Sequence, residues 1–237
     1  MENQSMTFSP IRVLSLREQV VEQVRAAIIE GRMKPKDHIT ELSLTEQMGV
    51  SRTPVREALI LLEREGLVEF HPNRGYFVRA FKEQDVQEIF SMRTTLENFA
   101  AELNITRLGE LDYNHLEALI DRQRRATEEK DFKSVRTIDM SFHSYLINFS
   151  GHSLLIRSWT ELVAQVAALL HIRAGVLEHD ETQATRDHQR IVEAYRSQNI
   201  QTLVEYNVSI NERVSAECQQ ALHLLKARVS QVKALHQ

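Results

Sequence analysis

No proline follows Pro72, so the last 165 of 237 residues contain none. Proline removes a backbone donor and clashes with the preceding helical turn. A proline-free stretch rich in Leu, Ala, Glu, Arg and Gln is therefore free to be helical from end to end. Apolar residues recur at helical spacing and predict about six to seven helices, near 83–106, 110–129, 131–149, 152–178, 181–198 and 200–227. Three of the four prolines lie before residue 55. The chain is thus expected to change character near residue 80.

Before that point, residues 44–66 read as helix, tight turn and second helix. Gly49 stands where a helix C-cap needs positive φ, and Ser51 is placed to cap the next helix. Pro54 falls in its first turn, where a missing N–H does no harm. Val55, Leu59, Leu62 and Glu63 recur at helical spacing, with Ala58 and Leu61 widening the stripe. Arg52, Thr53 and Arg56 crowd the cap end, with no acid between Ser51 and Arg56. A helix-turn-helix reads DNA with the first residues of its second helix, and Arg pairs bidentately with guanine or holds a phosphate. Gly66 ends the helix, and two short β-prone runs follow, 67–70 and 76–78. The turn-forming His71-Pro72-Asn73-Arg74-Gly75 between them makes a wing with Asn73, Arg74 and Gly75 at its tip. Ile39 is placed to begin a short strand pairing with that wing. Upstream, Ser15 and Glu18 form a capping box for a helix over 14–30 with Leu16, Val20, Val24, Ala27 and Ile28 inward.

The run Gly-Val-Ser-Arg-Thr-Pro-Val-Arg-Glu-Ala-Leu at 49–59 resembles the recognition-helix signature of GntR-family bacterial transcription regulators. The run Ile-Ile-Glu-Gly-Arg-Met-Lys-Pro at 28–35 is similar to the segment that precedes it there. The later helical pattern looks like the effector domain of the FadR-like branch, the FCD domain. Together these imply a mainly α chain: an N-terminal winged helix-turn-helix and a C-terminal all-α bundle. The expected division is a mobile arm at 1–10, a DNA-binding domain at 11–80, a linker at 81–85, and an effector-binding and dimerisation domain at 86–237. No Gly/Ser tract separates the two, so the head is expected to be held stiffly.

Net charge is −4, unusual for a DNA-binding chain. Residues 1–80 carry 11 Lys/Arg against 11 Asp/Glu, and the rest 18 against 22. Affinity for DNA must therefore come from local clusters at 52–56 and 74–79 and from two copies on one site. One cysteine, Cys218, allows no internal disulfide and fits a reducing cytoplasm. No apolar run near 18 residues is evident, so no membrane span is expected.

Polar residues within the core-facing stripes carry the remaining signal. Asp139 and His143 are one helical turn apart beside Val135, Phe142 and Leu146. His188 shares a face with Ala184, Ile191, Val192 and Tyr195, and Asn211 with Val204, Val208, Val214 and Cys218. Such groups need partners when buried. The residues alone leave two readings open, a hydrogen-bonded Asp–His core pair and a divalent metal. The resemblance implies a metal, which zinc, nickel, iron or manganese would suit. Asp139, His143 and His188 match the branch's first three ligands, and Asn211 stands where the fourth is usually His. Arg93, inward beside Val86, Ile89, Phe90 and Leu96, either pairs with Glu97 or grips an effector carboxylate. Arg173 is a second anion anchor, while His152, His171, Arg124 and Arg125 are expected to be structural or solvated and Trp159 to be core.

The combined expectation is a non-enzymatic, ligand-responsive, sequence-specific transcription regulator. It would act as a homodimer on a pseudo-palindromic operator, as a repressor released by a small organic acid. Two alternatives are a metal-dependent hydrolase with an accessory DNA domain and an effector-independent DNA-binding scaffold.

Overall fold

Gly49, Gly66 and Gly75 adopt φ of +65°, +66° and +86°, and these three positions punctuate the N-terminal domain. The computed structural model describes residues 14–178, 180 and 182–234. The expected arm at 1–10 lies outside the described residues. Helix α1 spans Leu16–Ile29, with the Ser15–Glu18 capping box formed. Strand β1 (His38–Ile39) leads into α2 (Glu41–Met48), and α3 spans Arg52–Arg64. Strands β2 (Val68–His71) and β3 (Gly75–Val78) form the wing hairpin. The sheet order is β1-β3-β2, both pairs antiparallel, so Ile39 does pair with the wing, opposite Tyr76. Val55, Ala58, Leu59 and Leu62 of α3 are buried. Glu63 is exposed, because it lies a residue past the stripe that faces α1. Ser51 occupies the N-cap position of α3, but its side chain makes no capping bond.

Six helices follow among the described residues: α4 (Glu83–Asn104), α5 (Glu110–Glu128), α6 (Phe132–Phe149), α7 (Ser153–Val176), α8 (Thr182–Arg196) and α9 (Ile200–Ala234). Each starts and ends within a few residues of the sequence reading, except that α9 runs on to Ala234. Helix α4 packs along α9, and α5 packs between α6 and α8. Phe132 is 38% exposed at the start of α6, so it falls outside the stripe expected of it. Helix α7 bears on the expectation of no membrane span. By length and composition it is apolar enough to cross a membrane, with a mean hydropathy of 1.3. The reason lies in its surroundings: α1, α4, α6 and α9 all pack against it. A helix hemmed in on several sides is apolar on several sides.

The two domains share one apolar cluster. It runs from Val20, Leu59 and Val78 in the head through Phe81 and Val86 to Leu162 and Leu169 on α7. Polar contacts fasten the same junction. Arg79 Nη2 donates to Asp85 Oδ1 at 2.7 Å and Nη1 to Gln165 Oε1 at 3.0 Å. Lys133 on α6 reaches Glu30 at 2.6 Å. The expected stiffness of the head therefore has a physical source in continuous burial.

Gly66 sits at this junction, where an added Cβ would lie 2.7 Å from Gln165 and 2.9 Å from Arg79. The left-handed backbone alone disfavours Gly66→Ala by about 1–2 kcal/mol, which lowers Tm by roughly 2–8 °C in a chain of this size. Gly49 shares the positive φ but has no atom within 4 Å of such a Cβ. Gly66→Ala should therefore lower Tm clearly more than Gly49→Ala in parallel thermal melts. Equal losses would mean that the Arg79–Gln165 contact does not hold the head.

Candidate nucleic-acid interface and metal centre

Two places gather the residues singled out above. The first is the exposed end of α3. Arg52, Thr53 and Arg56 are all exposed there, and α3 has no acid in its first turn. Arg56 is not idle: its Nε and Nη2 donate to Glu41 Oε1 and Oε2, each at 3.1 Å. Across the sheet, the wing tip turns through Asn73 at φ +63° and Gly75, with Arg74 N–H donating to His71 O at 3.0 Å. Arg74 lies over the Phe77 ring at 5.3 Å, His38 stacks on it at 4.7 Å, and His71 meets it edge-on at 5.2 Å. Sequence reasoning placed Asn73, Arg74 and Gly75 at the tip but missed His38. The β1–β3 pairing brings it to Phe77 from 39 residues away, and only register reveals that.

The second place is the interior of the helical domain. Asp139 and His143 on α6 and His188 on α8 bring one ligand atom each to within 4.8 Å of one another. His188 Nε2 stands 3.3 Å from His143 Nε2 and 3.3 Å from Asp139 Oδ1. The opposite edge of each ring is tied down. His143 Nδ1 donates to Glu97 Oε1 at 2.8 Å, and His188 Nδ1 donates to Gln123 Oε1 at 2.9 Å. A His whose Nδ1 holds the proton presents Nε2 as a lone pair, as metal-bound histidines do. Burial pushes His188 below its ordinary pKa, against the upward pull of Asp139. Asp139 is half-buried, and desolvation alone would raise its pKa, but the His188 hydrogen bond and the neighbouring His188, His143 and Arg93 outweigh this and hold it below the usual carboxylate range. Two imidazole Nε2 atoms and a carboxylate thus face one point. They repel one another unless a proton is shared, as in a His188–Asp139 hydrogen bond, or a cation lies among them, and a divalent metal suits this donor set.

Glu97 organises the surroundings. Its carboxylate accepts from Arg93 Nε at 2.8 Å, His143 Nδ1 at 2.8 Å and Asn211 Nδ2 at 2.7 Å. Burial alone would raise its pKa, but Arg93 and His143 overcome that and hold it at about 2. Asn211 therefore reaches the site through Glu97, on its amide nitrogen. Its Oδ1 is buried without a hydrogen-bond partner among the described residues. Neither Glu97 nor Gln123 was legible as a support for the histidines. The one available signal was a fully buried Gln in the apolar stripe of α5.

A cavity of about 370 Å³ opens beside Asp139, His143 and His188. That is within the usual range for small-molecule sites. Arg93 and Arg173 both line it, as do Arg136 and Arg213, which the sequence reading did not single out. Arg93 is 2% exposed and bonded to Glu97, the structural pairing expected of it, and it also forms part of the cavity wall. Arg173 Nη1 donates to Glu217 at 2.7 Å, while its Nε is buried without a partner among the described residues. Arg213 holds Asp187 and approaches Glu217 at 3.4 Å. Elsewhere, His152 caps α7, Trp159 is core with its Nε1 donating to Ser144, and Arg124 pairs with Asp121 at the surface. His171 lies against Gly31 at the head.

Residues 16–78 match the bacterial regulatory proteins of the gntR family, and residues 88–209 match the FCD domain. An uncharacterized HTH-type transcriptional regulator of Bacillus subtilis, YdhC, is 28% identical over 210 residues, covering 88% of this chain and 92% of its own. A probable D-xylose utilization operon transcriptional repressor of Paenarthrobacter nicotinovorans is 28% identical over 75% of this chain and 79% of its own. Among solved structures, E. coli McbR/YncC superposes with a TM-score of 0.77 at 22% identity, covering 88% of this chain and 99% of that one.

Proposed function

This chain belongs to the gntR family of bacterial regulatory proteins and carries an FCD domain, and on that premise we propose that it is a metal-dependent, effector-released repressor. Its family and relatives are transcription regulators rather than enzymes, which leaves the hydrolase reading without support. In our reading it works as a cytoplasmic homodimer on a pseudo-palindromic operator. Each head would place Arg52, Thr53 and Arg56 in the major groove, with Asn73, Arg74 and Gly75 adding contacts from the wing. Asp139, His143 and His188 would hold the metal, with the Asn211 amide oxygen as a further acceptor. Bound there, a divalent ion supplies a Lewis-acidic anchor for a carboxylate oxygen.

The observation that carries the effector reading is the charge of the cavity. Four arginines line it against five carboxylates: Asp139, Glu178, Asp180, Asp187 and Glu217. By themselves these walls repel an anion, and a divalent cation reverses the balance. Arg173, with its open Nε, and Arg93 then face the rest of a small acid. Helix α7 links this event to DNA. It contributes Leu170 and Arg173 to the cavity, and Gln165 and His171 to the docking of the head. A ligand that moves α7 re-spaces the two heads, and losing simultaneous half-site contact lowers avidity by about 10²- to 10⁴-fold.

The test uses full-length protein and the duplex it enriches from a random-sequence library. A panel of small carboxylates, with and without zinc or manganese, is screened by thermal shift and by release of that duplex. At least one acid should raise Tm and release DNA, and only in the presence of metal. Any ligand of the native state must raise Tm, so flat melts across the panel would favour an effector-independent DNA-binding protein.

A further inference from the structure

Arg56 is 65% exposed, yet both donors on one edge of its guanidinium are occupied. The partner, Glu41, opens α2. Its backbone is set by the Thr40 cap, whose Oγ1 accepts from Ser43 N–H at 3.1 Å, and its carbonyl accepts from Thr45 Oγ1 at 2.5 Å. An acid in the first turn also suits the helix dipole. Glu41 is thus a firm post on one helix of the head, and Arg56 leans on it from the other.

The geometry says which edge of Arg56 remains. A guanidinium carries five N–H donors: one on Nε and two on each Nη. Glu41 takes Nε–H and one Nη2–H through two parallel bonds. The other Nη2–H and both on Nη1 are left, and they form the end-on fork. That fork matches O6 and N7 of guanine in the major groove. A long flexible side chain is thereby aimed before DNA arrives, so less rotamer freedom is lost on binding.

We propose that Glu41 is a positioning residue for DNA reading, holding Arg56 side-on so that its end-on edge is presented to a guanine. The proposal rests on α3 being the reading helix. It carries an unusual signature, because Glu41 is also an anion placed close to a polyanion. It opposes non-specific attraction to phosphates while favouring the specific contact. An exposed ion pair contributes little to folding, so these effects are separable from stability.

Glu41→Gln is compared with wild type, Arg56→Ala and Glu46→Gln. Glu46 is an exposed acid on the same helix, so its variant removes the same charge without touching Arg56. Each full-length protein is titrated with the duplex that wild type enriches from a random library and with a scrambled duplex of equal length. Glu41→Gln should lose about tenfold in affinity for the enriched duplex while binding the scrambled one as well as wild type or up to about twofold better. Glu46→Gln should shift both duplexes alike, and Tm should stay unchanged in both variants. If wild type enriches no sequence, the assignment of the head itself is wrong. If Arg56→Ala loses the enriched duplex but Glu41→Gln keeps the wild-type ratio between duplexes, the positioning role is overturned and the head assignment stands. Equal losses on both duplexes in Arg56→Ala would make Arg56 a phosphate contact and overturn it too.

Discussion

Protein purified without chelator should carry about one equivalent of divalent metal per chain, and His188→Ala should carry none. The expectation follows from convergence. His188 supplies one of three acceptors gathered within 4.8 Å, and without it only two ligands from α6 remain. The ring is seated independently of any metal, stacked on Phe142 at 4.0 Å and bonded to Gln123. A site already organised on rigid helices pays little ordering entropy when an ion enters. The supporting groups should count as well. Glu97→Gln removes the carboxylate that orients His143, and such losses weaken metal binding by about 10- to 100-fold. Metal at 100 times its Kd adds about 2.7 kcal/mol of stability, which raises Tm by roughly 5–11 °C. Elemental analysis, chelator competition and melting curves read all three effects. Wild-type protein that neither retains metal nor takes any up on titration would leave Asp139, His143 and His188 as a hydrogen-bonded polar cluster, with Arg173 as the anchor of any effector.

Arg56→Ala and Arg52→Ala should each abolish measurable operator binding without unfolding the protein. A bidentate contact to a base discriminates by about 10- to 100-fold. A homodimer loses that contact in both half-sites, so the effect compounds to about 10²- to 10⁴-fold. Both side chains are exposed, and neither belongs to the Val55–Leu59–Leu62 stripe that holds α3 in place. Alanine also favours a helix. Melting temperatures within a degree or two of wild type are therefore expected alongside the lost gel shift. Operator affinity unchanged in both variants would show that α3 is not the reading helix.

Much of this fold was legible before any coordinates. Helices α4 to α8 begin and end within about two residues of the sequence reading, because each is an amphipathic stripe bounded by turn residues and uninterrupted by proline. The wing was legible for a related reason: Asn73 and Gly75 take the positive φ that a tight hairpin demands. The exceptions lie at the edges of the apolar stripes. Leu16, Glu63 and Phe132 were counted into stripes and are exposed. Helix α7 was legible as a helix, but not its four neighbours, because α1, α4, α6 and α9 reach it from distant parts of the chain.

The chain by itself determined its local chemistry: where helices start, which glycines turn, which residues crowd the end of α3, and that Asp139 and His143 share a face. These depend on neighbours within a few residues, and helical periodicity records them directly. Only the tertiary structure decided what those residues do to one another. Glu97 joins Arg93, His143 and Asn211 from α4, α6 and α9. Gln123 of α5 sets the tautomer of His188 on α8, and Glu41 aims Arg56 from across a turn. Each such contact joins residues 15 to 114 positions apart, save the one-turn Arg93–Glu97 pair. Contacts at that range follow from how helices pack, and periodicity within one helix carries no record of them.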